Sequence, residues 1–251
     1  LREAKPRPIE RESGQCRRTD VEFPVPYRHG RPPASIWTGK RKALIMSASV
    51  VEAKPVLKWR VVDIAVASVI GVASALIYWA VAFFSAAPWS VLEAVVPGLA
   101  GIFNGLWLFA GPLAAVIVRK PGAALYAEVV AGVLEALMGN MWGGVETFLI
   151  AFVQGLCAEI AFAVFAYRKW NLPVMMFSGA LSGLGCWAYS FFTHLQAIDL
   201  NGSYGIVYLI TTVLSGLVFA GIAMWYLYIG IAKTGALDNF ASGRMVRNRT
   251  R

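Results

Sequence analysis

From Asp63 onward the chain is a succession of apolar runs, and their length limits what it can fold into. The runs cover residues 63–84, 95–118, 123–138, 145–167, 174–197 and 204–231. At a rise of about 1.5 Å per residue, about 20 helical residues cross the roughly 30 Å hydrocarbon core of a bilayer. No water reaches that core, so each run must satisfy its own backbone groups as a helix. The second run is interrupted by Pro97-Gly98 and Gly111-Pro112, and the third is the shortest. The predicted class is an all-α membrane protein with six transmembrane helices. Composition agrees, at 58% hydrophobic and 15% charged, whereas soluble domains carry about 25% charged residues.

Charge is placed unevenly. Residues 1–60 hold 14 of the 23 Lys+Arg and 6 of the 14 Asp+Glu, a local balance of +8, and the remainder is close to neutral. Residues 1–57 are polar, without a sustained apolar period, and read as a disordered basic extension. Met46 leads into the first run and is a candidate start of the working protein. Residues 58–235 form the membrane domain, and 236–251 a basic tail. The extension reads as a cytosolic flank of a membrane domain rather than a nucleic-acid surface. Arg119-Lys120, Arg168-Lys169, the flank with Lys54, Lys58 and Arg60, and the tail are basic, while the connectors between them carry Glu93, Glu146 and Asp199. By the positive-inside rule this alternation puts both termini in the cytoplasm.

Several chemistries are excluded. Cys16, Cys157 and Cys186 are irregularly spaced, and the histidines are His29 and His194. Neither a disulfide framework nor a His/Cys zinc site follows. There is no GxxxxGK[ST] loop for ATP hydrolysis. With one histidine in the membrane part, no catalytic triad is convincing; His194 reads as an interface residue. The expectation is a protein that is not an enzyme and uses no cofactor or metal.

The polar residues inside the runs need a reason, because a carboxylate in hydrocarbon is costly. Counted from Arg119 or Arg168, Glu128 and Glu159 lie at one depth, roughly 13 Å. Glu135, Gln154 and Asn104 lie roughly 21–24 Å up, with Trp107 close by. Trp187 and Tyr189 fall in the same outer half. A carboxylate, two amides and aromatic faces suit a flat cationic or amine-bearing ring. The alternative is a set of interhelical hydrogen bonds with an interfacial aromatic belt, to which Trp142, Tyr204 and Tyr208 are equally suited. Glu128 and Glu159 read as a proton-sharing pair, as a buried structural network, or, for Glu128, as the floor of a pocket. Ala67, Gly71 and Ala75 recur every four residues and form one row. Such a row serves either an outside helix or packing within the bundle.

The residues Gly105-Leu106-Trp107, Arg119-Lys120-Pro121-Gly122-Ala123-Ala124-Leu125, the run from Glu128 through Glu135 to Gly139-Asn140, and Gln154-Gly155-Leu156-Cys157-Ala158-Glu159 carry a resemblance to a known family. The chain resembles the YkoE family, thiamin-related S components of energy-coupling-factor (ECF) transporters, over about residues 58–240. Cys157 stands where that family usually has a smaller residue. The resemblance implies a six-helix S-component bundle in a bacterial plasma membrane that binds thiamin or its hydroxymethylpyrimidine precursor. It implies a transmembrane coupling protein and ABC-type ATPases as partners. It assigns the row Ala67, Gly71 and Ala75 to coupling-protein docking, and residues 85–96 to a loop capping the site from outside. Ligand contacts are expected from Glu135, Gln154, Asn104, Trp107, Trp187, Tyr189, Glu128, Glu159 and Trp142. The competing functions are a stand-alone proton-coupled transporter, an S component for a different vitamin, and a membrane assembly factor with structural carboxylates.

Overall fold

The computed structural model describes residues 57–199 and 202–250, so the extension expected to be disordered and the candidate start at Met46 lie outside the described residues. The elements are α1 (Val61–Val95), a 3-10 helix (Leu99–Trp107), α2 (Ala110–Val118), α3 (Ala123–Met138), α4 (Gly144–Val164), α5 (Leu172–Thr193), α6 (Ser203–Ser215), a π-helical segment (Gly216–Ala223), α7 (Met224–Lys233) and α8 (Ala241–Thr250). Five spans are long and apolar enough to cross a membrane: Val61–Val95, Leu99–Val118, Gly144–Val164, Leu172–Thr193 and Ser203–Lys233. The third expected span, α3, has 16 residues, about 24 Å at helical rise, and is shorter than these five.

The first helix departs most from expectation. It runs 35 residues, about 52 Å, well past Phe84. Residues 85–95 continue it as helix, so the expected capping loop is a helical extension. Pro88 lies inside this helix at an exposed position; it removes one hydrogen bond but does not end the helix.

The second span is a broken helix. Its first half is 3-10, and irregular backbone at membrane depth persists only where protein groups satisfy it. The satisfying groups come from α1 and α6. Gly98 N–H donates to Glu93 Oε2 at 2.9 Å and Gly105 N–H to Ser215 Oγ at 2.7 Å. Thr211 Oγ1 donates to Gly98 O at 2.9 Å. The second half, α2, is buried along its whole length. Pro112 falls in its first turn, where an N–H has no helical partner to lose.

Close backbone approach binds the remaining helices. A Cβ on Gly179 would lie 2.3 Å from Gly216 O, and one on Gly216 equally close to Gly179 O, so α5 meets the π-helical segment through two glycines. Likewise the row Ala67, Gly71 and Ala75 is buried, and a Cβ on Gly71 already sits 2.7 Å from Val130 Cγ1 and 3.0 Å from Ala127 O. The row packs against α3 of the same chain. This corrects the expectation of a coupling-protein surface there: small residues admitted a close neighbour, and that neighbour is internal.

At one end of the bundle the basic connectors meet. Trp59 Nε1 donates to Pro121 O at 2.9 Å, the Arg119 guanidinium lies 5.4 Å over the Trp170 ring and the Arg60 guanidinium 5.7 Å over Phe240. Ser242 Oγ in α8 donates to Ile117 O at 2.7 Å, closing the end of α2.

Candidate functional site

At the opposite end lies a cavity of about 240 Å³. Every long helix contributes to it: Tyr78 and Trp89 from α1, Asn104 and Trp107 from the 3-10 helix, Glu128 and Glu135 from α3, Glu146, Thr147 and Gln154 from α4, Cys186, Ser190 and His194 from α5 and its cap, and Tyr204 and Tyr208 from α6. Trp142, in the turn between α3 and α4, completes the rim.

The 3-10 geometry explains one wall. With three residues per turn, positions i and i+3 eclipse, so Gly101, Asn104 and Trp107 form one column. Gly101 lets α6 approach, since a Cβ there would lie 2.4 Å from Thr211 Oγ1. Asn104 Nδ2 then donates to both Tyr208 Oη and Thr212 Oγ1, each at 2.9 Å. Trp107 Nε1 donates to Glu135 Oε1 at 3.2 Å, and its ring meets Trp142 edge-on at 5.6 Å. Tyr204 and Tyr208 stack at 5.9 Å on the α6 side, and Trp89 stacks on Phe103 at 6.2 Å.

The floor is the broken helix's own N-terminus. The first N–H groups of a helix have no internal partner. Here Gly111 N–H donates to Glu128 Oε2 at 2.7 Å, and Ala110 N–H to Tyr78 Oη at 3.0 Å. Tyr78 in turn donates to Glu128 Oε1 at 2.8 Å. A carboxylate suits the positive end of a helix dipole, which supplies the reason for an acid at this depth.

Glu159 does the same work elsewhere. Its oxygens accept from Gly122 N–H at 2.7 Å, Ala124 N–H at 2.8 Å and Tyr167 Oη at 2.8 Å. It caps α3 across the basic turn. Burial first, and then this hydrogen bond, hold the Tyr167 phenol above its ordinary pKa, so it stays a donor. The structure therefore corrects two expectations. Glu159 is outside the cavity lining, and Glu128 and Glu159 do not share a proton: each is bonded to a different helix N-terminus. Equal depth did not mean equal surroundings.

Glu135, Gln154, Asn104, Trp107, Glu128 and Trp142 are brought together in the cavity lining. Trp187 and Tyr189 are not. They flank the lining residues Cys186 and Ser190, but one residue turns a helix by about 100°. Trp187 packs instead on Phe191 at 5.7 Å. Sequence reasoning missed Tyr78, Trp89, Glu146, Thr147, Cys186 and Ser190, and took His194 for an interface residue. His194 lines the mouth and is paired with Glu146. A signal for α5 existed: Ser178, Ser182, Cys186, Ser190 and His194 recur every four residues.

A family described as the permease component of an ABC-type cobalt transport system matches residues 62–185. The chain is 31% identical over 199 residues to the putative HMP/thiamine permease protein YkoE of Bacillus subtilis (strain 168), covering 76% of this chain and 94% of that protein. A crystal structure of an S-component of an ECF transporter is similar at a TM-score of 0.70 and 30% identity, covering 77% of this chain and 95% of that one.

Proposed function

The chain belongs to the YkoE family of ECF-transporter S components, multi-pass membrane proteins of transport, and we propose that it captures thiamin or its hydroxymethylpyrimidine precursor in the cavity. A transmembrane coupling protein and ABC-type ATPases then drive delivery inwards. The observation that carries this reading is the cavity lining. It joins Glu135 to an aromatic cage of Trp107 and Trp142, with Tyr204 and Tyr208 lining the α6 side. No Lys or Arg is among its described lining residues. Thiamin pairs an aminopyrimidine, which carboxylates and amides can bind, with a permanently cationic thiazolium, which aromatic faces and negative charge attract. A metal cargo is less well supported, since no group of three or more His, Cys, Asp or Glu that could hold an ion occurs among the described residues.

The topology belongs to the same proposal. The short α3 serves as a sixth crossing, and the end where the basic connectors meet faces the cytoplasm with both termini. With Ala67, Gly71 and Ala75 buried, the coupling protein meets the other side of α1, where Ala65, Val69, Val72, Ala73 and Leu76 are exposed.

Tryptophan fluorescence of detergent-purified protein, titrated separately with thiamin and hydroxymethylpyrimidine, tests the ligand. Of nine tryptophans, Trp89, Trp107 and Trp142 line the cavity, so saturable quenching is the expected result. Silence with both compounds would remove them as ligands.

A further inference from the structure

The hydrogen-bond polarity of one wall of the cavity is fixed before any ligand arrives. An asparagine amide has two hydrogens and one carbonyl oxygen. Both hydrogens of Asn104 are committed, one to Tyr208 Oη and one to Thr212 Oγ1, each at 2.9 Å. Thr212 is fully buried, and Asn104 and Tyr208 are nearly so, so the lock sits in packed protein rather than in solvent. Asn104 lines the cavity, and the only group it has left to offer is an acceptor, Oδ1. A free amide could rotate to present either end; this one is held.

Trp107, one 3-10 turn away on the same column, settles the neighbouring acid in the same way. Its N–H donates to Glu135 Oε1 at 3.2 Å, and the Asn140 amide also lies against this carboxyl. This wall of the cavity thus asks for N–H donors.

We propose that Asn104, held by Tyr208 and Thr212, is the specificity-determining residue that accepts a hydrogen bond from an exocyclic amine on the ligand's pyrimidine, and that it rejects the same ring bearing an oxo group. The proposal rests on the thiamin-type reading of the cavity. An oxo oxygen would face the Asn104 oxygen with no hydrogen between them. A buried polar site built for a donor discriminates strongly against a ligand that lacks it. Tyr208 and Thr212 are positioning residues, acting through the amide they hold.

The test compares thiamin with oxythiamin, in which an oxo group replaces the pyrimidine amine, on the full chain in detergent. Wild-type protein is expected to bind thiamin at least about 100-fold more tightly. Thr212→Val, nearly isosteric, removes one lock and lets the amide turn its N–H towards an oxo group. The thiamin-to-oxythiamin ratio should then fall at least about tenfold, by more than thiamin affinity itself falls. Tyr208→Phe releases the other hydrogen and should lower the same ratio, which a purely structural role would leave unmoved. Equal wild-type affinities for the two compounds, or a ratio unchanged in both variants, would overturn the proposal while leaving the thiamin reading intact. No binding of either compound by wild-type protein would overturn both.

Discussion

The two ends of the bundle use the same residue type for different ends. Near the basic turn, Glu159 accepts from two backbone N–H groups and a tyrosine at 2.7–2.8 Å, and so is part of the helix it caps. In the cavity, Glu135 accepts from Trp107 at 3.2 Å, has the Asn140 amide beside it, and faces a space that can hold a ligand. Glu128 stands between the two cases: it lines the floor, yet both its oxygens are bound to Gly111 and Tyr78. A buried carboxylate is therefore not by itself a sign of a site. What distinguishes the two is whether the protein has already used its acceptor capacity.

The strongest way to break this comparison is at the packing that both ends depend on. Gly71→Leu drives a side chain into Val130 and the Ala127 carbonyl. Overpacking of this kind costs about 1–3 kcal/mol, and more where backbone blocks relief. We expect a large drop in melting temperature and loss of ligand binding together; normal stability would mean that α1 and α3 can separate at little cost. Glu159→Ala comes next. It strips partners from Gly122, Ala124 and Tyr167, at about 1–3 kcal/mol for each buried group left unsatisfied. Thermal unfolding should shift clearly while thiamin affinity in the surviving folded protein changes less than about threefold, below 1 kcal/mol.

Glu135→Gln is the converse variant. It should weaken thiamin binding at least tenfold, about 1.4 kcal/mol, with the melting temperature of the unliganded protein nearly unchanged. An affinity equal to wild type in a fluorescence titration would take Glu135 out of the site and erase the distinction between the two ends. The smallest effect is expected at the rim. Trp142→Leu loses an edge-on partner of Trp107, worth about 0.5–1.5 kcal/mol, and should raise the thiamin dissociation constant by a few fold without altering stability.

How far the sequence could be read follows from the physics of each feature. Apolar length is additive along the chain, so four spans came out near their expected positions, with α5 observed at Leu172–Thr193 against 174–197. The extension of α1 through Pro88 was missed because proline is a local helix breaker, yet the helix continues through it here. The 3-10 and π-helical stretches were also missed. Both lie where glycines let backbones touch, at Gly105 with Ser215 and at Gly179 with Gly216, and no local propensity encodes that approach.

The sequence by itself determined that this is a helical membrane protein, which of its residues carry polarity at depth, and that the basic connectors alternate with acidic or neutral ones. Those properties depend on composition and on distance along a helix. Tertiary structure alone decided which polar groups face the cavity. Depth is set by residue number, but direction is set by helix rotation and by what packs alongside. Hence Gln154 lines the cavity and Trp187 does not, Ala67, Gly71 and Ala75 face α3 rather than a partner, and Glu159 holds a helix end while Glu135 remains open to a ligand.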